Sequence, residues 1–239
     1  MLSSFAFSQT VTFKEIKLKP SPRLYNTKDS TIIYPTVVTK NSAINKLIND
    51  EIKKEIINID NKKTSLKKDL IELTNERIIN LFYKVTFNKN WLLSLNICQE
   101  GCGAYCTSWY TYFNFDLKTG RRIKTSDLIY ETKLDSFKKI VFEEKVSLLK
   151  KYKEKEQNLL IRKEIDSSLY DWAMKVVDNF CINELEIENF YLSDKYMEIT
   201  DQCEFPHAIK SQEPDYHLQY SYKSIQDFLK PEFRYRLLK

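Results

Sequence analysis

Glycine is almost missing from this chain. Its 239 residues contain three, where ordinary usage of ~7% would give roughly 17. No G-x-G-x-x-G or P-loop can be written with Gly101, Gly103 and Gly120, so Gly-rich phosphate loops are excluded. Flexible Gly-rich linkers and collagen-like repeats go with them. Histidine is nearly as scarce, with only His207 and His217. No nucleophile elbow or similar local signature is present, and each His reads as a surface or capping residue. No run of ~18 apolar residues exists, so no membrane span is expected. Neither sign of charge dominates. The formal net charge of +5 is too small to argue for nucleic acid. The 33 carboxylates show no spacing that singles out a catalytic pair, and nothing calls for a cofactor.

What is present is apolar and aromatic. Hydrophobic residues make up 42% of the chain, with 15 Tyr and 14 Phe, ample for a packed core. The length suits one large domain or two small ones. At the N-terminus, Ala6-Phe7-Ser8 has the small-x-small pattern of a signal-peptidase site, without a basic n-region or a full apolar stretch. Residues 1–8 read as the tail of a signal peptide that starts upstream; a ragged N-terminus is the plainer alternative. Five cysteines fit an oxidising compartment, so a periplasmic or secreted location is expected. Their odd number leaves one free thiol unless chains cross-link.

Periodicity predicts the elements. Residues 10–19 suggest a first strand, broken by Pro20-Ser21-Pro22. Residues 31–38 read as a second, with Pro35 placing it at a sheet edge. Asn41 caps a helix carrying Ile44, Leu47, Ile48, Ile52, Ile56 and Ile59. A three-stranded meander follows. Ile79, Leu81, Tyr83, Val85 and Phe87 share one face of its first strand, and Asn88-Lys89-Asn90 turns into the second. There Trp91, Leu93, Leu95 and Ile97 face one way, Ser94, Asn96 and Cys98 the other. In the third, Trp109, Phe113, Phe115 and Leu117 oppose Tyr110, Tyr112 and Asn114, and Gly120 supplies a positive φ to the closing turn.

Thr132 to Asp135 resembles a capping box that opens a helix over Leu134, Phe137, Val141, Leu148 and Tyr152. Lys150 to Glu156 reads as a solvated helix end. Ile165, Leu169, Trp172, Val176 and Phe180 mark another helix. A hairpin around Ser193-Asp194, a strand over Leu218 to Tyr222 and a short helix capped by Ser224 complete the chain. Strands and helices are segregated, which predicts an α+β fold: a mostly antiparallel meander with helices on one face.

Cys98-x3-Cys102-x3-Cys106 spans a turn between two predicted strands. A disulfide, most simply Cys102–Cys106, would staple it. Free thiols are a second reading. A stretched metal site is a third, with His207 or Cys203 as a distant fourth ligand. Gly101 and Gly103 imply a positive φ or a close contact there. Cys181 reads as an inert core thiol, and Cys203 as a partner for Cys98 if the two strand ends meet. The Tyr110–Tyr112 stripe is sheet packing if a helix covers it and a recognition face if none does.

Gly103-Ala104-Tyr105, then Tyr112-Phe113-Asn114-Phe115-Asp116-Leu117-Lys118-Thr119-Gly120-Arg121, then Asp127-Leu128-Ile129, resembles a known pattern. It is similar to the C-terminal domain of unknown function found in RsiV-like anti-sigma factors and PdaC-like polysaccharide deacetylases. That pattern is Gly-Gly-Ala-His, then Tyr-x-Asn-Phe-Asp-x-x-Thr-Gly-Lys, then Leu-x-Asp-Leu-Phe. Tyr34-Pro35 and the helix after Asn41 resemble the companion domain that precedes it. The family His is Tyr105 here, and the cysteines of a Cys-Gly-Ala-Tyr-Cys subgroup are additional. No sigma-binding segment or deacetylase domain accompanies the match, so those activities do not transfer. The resemblance divides the chain into a companion region (9–75) and a C-terminal domain (76–239), forming one compact unit.

The resemblance implies a non-catalytic extracytoplasmic binding module for a protein, lysozyme-like in one branch, or for a cell-wall glycan. Tyr105, Trp109, Tyr110 and Tyr112 are its candidate contact residues. Two alternatives stand beside it: an inhibitor or immunity protein against a toxin, and a metal-dependent hydrolase built on the Cys98/Cys102/Cys106 loop.

Overall fold

The computed structural model describes residues 10–19, 30–57, 65–201 and 203–238. The signal-like residues 1–8, the Pro20-Ser21-Pro22 break and Ile59 lie outside them. The fold is α+β, with a five-stranded, mostly antiparallel sheet and a three-stranded antiparallel sheet. Two compact units are present. The first runs to Lys124 and includes Tyr191–Asp194 and the residues from Tyr235. The second comprises Thr125–Phe190 and Lys195–Arg234.

In the first unit, β1 (Thr12–Leu18) and β2 (Ile32–Val38) precede α1 (Ser42–Ile57) and α2 (Leu66–Asn75). Then come β3 (Ile78–Lys89), β4 (Leu92–Cys102) and β5 (Cys106–Asp116), in the spatial order β1-β2-β3-β4-β5. Every pair is antiparallel except β2–β3, whose parallel pairing needs the α1–α2 crossover. The Asn41 side chain caps α1, accepting from the amides of Ala43 and Ile44. Ile44, Ile48, Ile52 and Ile56, one turn apart, bury against Leu81, Leu93, Leu95, Ile97, Phe113 and Phe115. Leu47 is on the wet side. Residues 61–72, undecided between loop and helix in the sequence, include the start of α2.

β2 is not an edge strand, because β1 covers it. It pairs with β3 only at Ile32–Leu81. The Thr31 carbonyl accepts from Leu81, and both backbone groups of Val37 bond to the Asn49 side chain of α1 at 2.8 Å. Odd-numbered residues therefore face away from β1. Pro35 has that phase, so its missing N–H takes nothing from the β1 ladder.

The meander forms with two corrections. Asn90 and Trp91 both have positive φ (53° and 64°), so the tight turn is theirs and ends one residue beyond the expected Asn88-Lys89-Asn90. An irregularity between Val85 and Phe87 then puts Phe87 opposite Ser94, while Val85 opposes Leu95. Phe87 thus shares a face with Ser94, not with Leu81, Tyr83 and Val85, since one extra residue reverses a two-residue period. Gly120 has φ 76°, and its amide bonds to Asp116 O at 2.7 Å. A Cβ there would also sit tightly against the first turns of α1, 3.3 Å from Leu47 Cβ.

The second unit holds α3 (Thr125–Leu128), α4 (Glu131–Ile161), α5 (Ser167–Val176), β7 (Tyr196–Ile199) and β8 (Leu218–Ser221), while of β6 (Phe190–Leu192) only Phe190 belongs to it. Helix α6 (Pro231–Leu237) runs from its end into the first unit. The expected capping box is absent: α4 begins at Glu131, so Thr132 is already helical, and Tyr130 caps with no side-chain bond. Asp166 does cap α5, through the Ser168 amide. Trp172 and Phe180 are exposed, and the buried face is Ala173, Met174, Val176, Val177 and Cys181. Glu156 is buried despite its charged surroundings. Residues 222–228 form successive turns anchored on Ser221 O rather than the expected helix at Ser224. Pro231 opens α6 instead, at the one helical position where a missing amide is harmless.

Candidate functional site

The hairpin of β4 and β5 pairs without a slip from Leu92–Asp116 to Cys102–Cys106, and a disulfide joins that last pair. Its register explains where each aromatic points. Residues directly opposite share a face. Phe113 and Phe115 oppose Leu95 and Leu93 and are buried, so Tyr110 and Tyr112, opposite Cys98 and Asn96, occupy the other face.

That face carries a ladder of tyrosines. The Tyr110 and Tyr112 rings stack with centroids 6.3 Å apart, and Tyr112 stacks on Tyr191 at 6.1 Å with 15° between planes. Phe82 lies in the same cross-strand row, opposite Cys98, and is 46% exposed; Tyr110 is 45% exposed. Both spacings are those of aromatic pairs that attract through offset stacking.

Cys98, between Phe82 and Tyr110 in that row, is buried and free. Burial pushes its thiol up from the ordinary range, partly offset by the Tyr110 hydroxyl hydrogen-bonded to it. The thiol is therefore protonated and unreactive.

The ladder runs along an edge. β5 is the last strand of its sheet. Its outward groups are used near the C-terminal end: Tyr112 O accepts from Arg122, Asn114 O from Ile123, and the Asp116 amide donates to Arg121 O. Upstream, the outward N–H and C=O of Ser108 and Tyr110 have no backbone partner among the described residues. Residues 106–110 are all exposed.

The four expected contact residues do not form one patch. Tyr110 and Tyr112 stand together. Trp109 is on the opposite face, against Gly101, and Tyr105 is at the hairpin tip, 70% exposed. Tyr191 and Phe82 complete the ladder and were not anticipated. Tyr191 joins from nearly 80 residues away in sequence, a juxtaposition no local pattern carries. Gly101 makes the expected close contact, whereas Gly103 has neither a positive φ nor a neighbour nearer than 3.7 Å.

The cysteine alternatives now separate. Cys102 bonds to Cys106 as expected, but Cys203 bonds to Cys181 and not to Cys98. Cys181 is thus not an inert core thiol: it faces inward among Val176, Val177, Phe205 and Ile209, where Cys203 meets it. Glu100, Cys102 and Cys106 are the only metal-compatible grouping among the described residues. Its two sulfurs are bonded to each other, and Glu100 accepts from Asn80 at 2.6 Å. A divalent metal would find no thiolate there.

His217 pairs with Glu198, Nδ1 to Oε1 at 2.8 Å, with Asp215 3.7 Å from the other nitrogen. The hydrogen bond to Glu198 raises its pKa above the usual imidazole value. The pair ties the residue before β8 to β7.

The fold and site together define an α+β domain with an aromatic edge hairpin. No protein-family profile and no curated protein matches the sequence. Solved structures do match. A DUF3298 family member from Bacteroides fragilis NCTC 9343 aligns with a TM-score of 0.56 at 14% identity, covering 93% of this chain and 94% of the other. A DUF3298 family protein from Pseudomonas aeruginosa PAO1 aligns with the same score and coverage at 12% identity. At these identities the likeness is one of fold, and the fold is that of proteins named as a domain of unknown function.

Proposed function

We propose that this chain is a non-catalytic extracytoplasmic module that binds a partner protein along the β5 edge. One observation carries this reading: the open backbone of Ser108 and Tyr110 coincides with a ladder formed by the exposed Tyr110 and the half-buried Tyr112 and Tyr191. An extended segment of the partner adds to the sheet through main-chain hydrogen bonds, and the tyrosines supply side-chain contact area. Two disulfides suit a secreted or periplasmic setting. No helix among the described residues is long and apolar enough to cross a membrane. The RsiV-like resemblance at Asn114 to Gly120 favours a lysozyme-like partner over a cell-wall glycan.

The test is a pull-down of lysozymes, with intact peptidoglycan as the competing ligand. Retention of a lysozyme that weakens at least tenfold in Tyr110→Ala/Tyr112→Ala supports the reading. Retention of peptidoglycan alone, or a double variant that binds like wild type, overturns it.

A further inference from the structure

A cleft of about 440 Å³ opens in the second unit between the C-terminal half of α4 and the segment Ser211 to His217. That volume is within the ~300–1,000 Å³ of small-molecule sites. Leu148, Tyr152 and Tyr216 give it apolar wall.

Two residues that line it, Glu156 and Tyr216, each carry a polar atom that is buried without a partner, Oε2 and the hydroxyl. Glu156 is only 4% exposed. Buried polar groups are almost always satisfied, so two orphans lining one cleft need an account. The Tyr152 hydroxyl, which donates to Gln212 O, lines the same wall and keeps its lone pairs for an incoming donor.

The electrostatics select the ligand's charge. Burial favours the neutral form of Glu156, against the nearby Lys155 cation. A carboxylate accepts, and the protonated form that burial favours also donates. Around it, Lys151 and Lys155 balance Glu213 and Asp215. A cation meets the two lysines and an anion meets the two carboxylates, so neither gains from entry. An uncharged ligand rich in groups that both donate and accept meets no such penalty.

We propose that this cleft binds a neutral polyhydroxylated ligand, a short saccharide, with Glu156 and Tyr216 hydrogen-bonding its hydroxyls and the Tyr152 and Tyr216 rings packing on its apolar face. The site lies in the second unit and does not depend on the reading of β5.

The test is titration of the full chain with cellobiose and with N,N′-diacetylchitobiose, followed by calorimetry and by NMR. Inorganic phosphate and putrescine serve as charged controls. At least one disaccharide binds with a Kd on the order of 1 mM or tighter. Tyr216→Phe and Glu156→Leu each weaken it about tenfold, the effect of one lost buried hydrogen bond. Glu156→Gln, which keeps a neutral donor and acceptor, retains most of the affinity, and Tyr110→Ala leaves it unchanged. Thermal melts establish that each variant is folded. Three results overturn the proposal: neither disaccharide binds the folded wild type, phosphate or putrescine binds more tightly, or Tyr216→Phe and Glu156→Leu bind as wild type does.

Discussion

The indole of Trp109 packs against Gly101, with Cη2 at 3.1 Å and Cζ3 at 3.3 Å from where a Cβ would stand. Glycine is required here by the ring, not by the backbone angles. Gly101→Ala should destabilise the chain by about 1 kcal/mol, the low end of overpacking, and shift the tryptophan fluorescence. In Trp109→Ala the same change should cost nothing measurable, a non-additivity visible in a double-mutant cycle by denaturant unfolding.

The two disulfides should differ in their effect on stability. Cys102–Cys106 closes a separation of 4 residues and Cys181–Cys203 one of 22. Chain entropy assigns them about 2 and about 3.4 kcal/mol. The Cys181→Ala/Cys203→Ala pair should therefore lower Tm more than Cys102→Ser/Cys106→Ser. The latter should instead weaken partner capture, because the staple holds the open end of β5.

Thiol chemistry gives an independent check. Wild type should release one thiol per chain, and only on unfolding, since Cys98 is buried under Tyr110 and its pKa is raised. Tyr110→Ala should uncover the sulfur and speed its alkylation in the native state. Rapid labelling of the wild type at neutral pH would contradict the burial.

His217 should leave a mark on the pH dependence of stability. Its folded pKa is raised above 6.5 by Glu198. The folded state therefore holds its proton more tightly than the unfolded state. The stabilisation is full below pH 6.5 and is lost as pH rises through the folded pKa. The imidazole is more than half exposed, so the effect should stay below about 1 kcal/mol. Urea unfolding at pH 6 and pH 8.5 should show it in wild type, and His217→Gln should flatten it.

Arg236 locks the Asn90–Trp91 turn. Its guanidinium donates to the carbonyls of Asn90 and Trp91 and meets Asp116 Oδ1 at 3.0 Å, and it is only 7% exposed. Arg236→Met takes one donor from each of the three acceptors, although Asp116 Oδ1 keeps the Lys118 amide and Trp91 O keeps the Leu117 amide, and should cost about 2 kcal/mol. Arg236→Lys should recover only part of that, because a single ammonium cannot reach all three acceptors in a fixed fork.

Much of the meander was legible because its information is local. Leu93, Leu95 and Ile97 declare an inner face by period two, and Asp116 to Gly120 declares a turn that only glycine closes comfortably. Reading failed where one residue changed the phase, as at the irregularity that turns Phe87 over. It failed again where a charged side chain was buried by partners distant in sequence. Lys145 looks like one more solvated helix cation, yet it is 1% exposed, bonded at 2.5 Å to Asp201 and to Glu184 O. Glu156 sits in the same kind of stretch and lines the cleft. The tyrosine stripe was visible as a stripe, but whether a helix covered it was not.

The sequence by itself determined the α+β class and the β4–β5 hairpin, and offered the Cys102–Cys106 staple as the simplest of three readings. All of these rest on neighbours within a turn or a strand, where residue period and backbone sterics decide. Tertiary structure alone decided that Cys203 meets Cys181, that Tyr110 stays exposed on a sheet edge, that Tyr191 completes the ladder, and that Glu156 is buried without a partner. Each of these depends on which distant segments share a surface, and that is set by the packing of whole elements rather than by any local pattern.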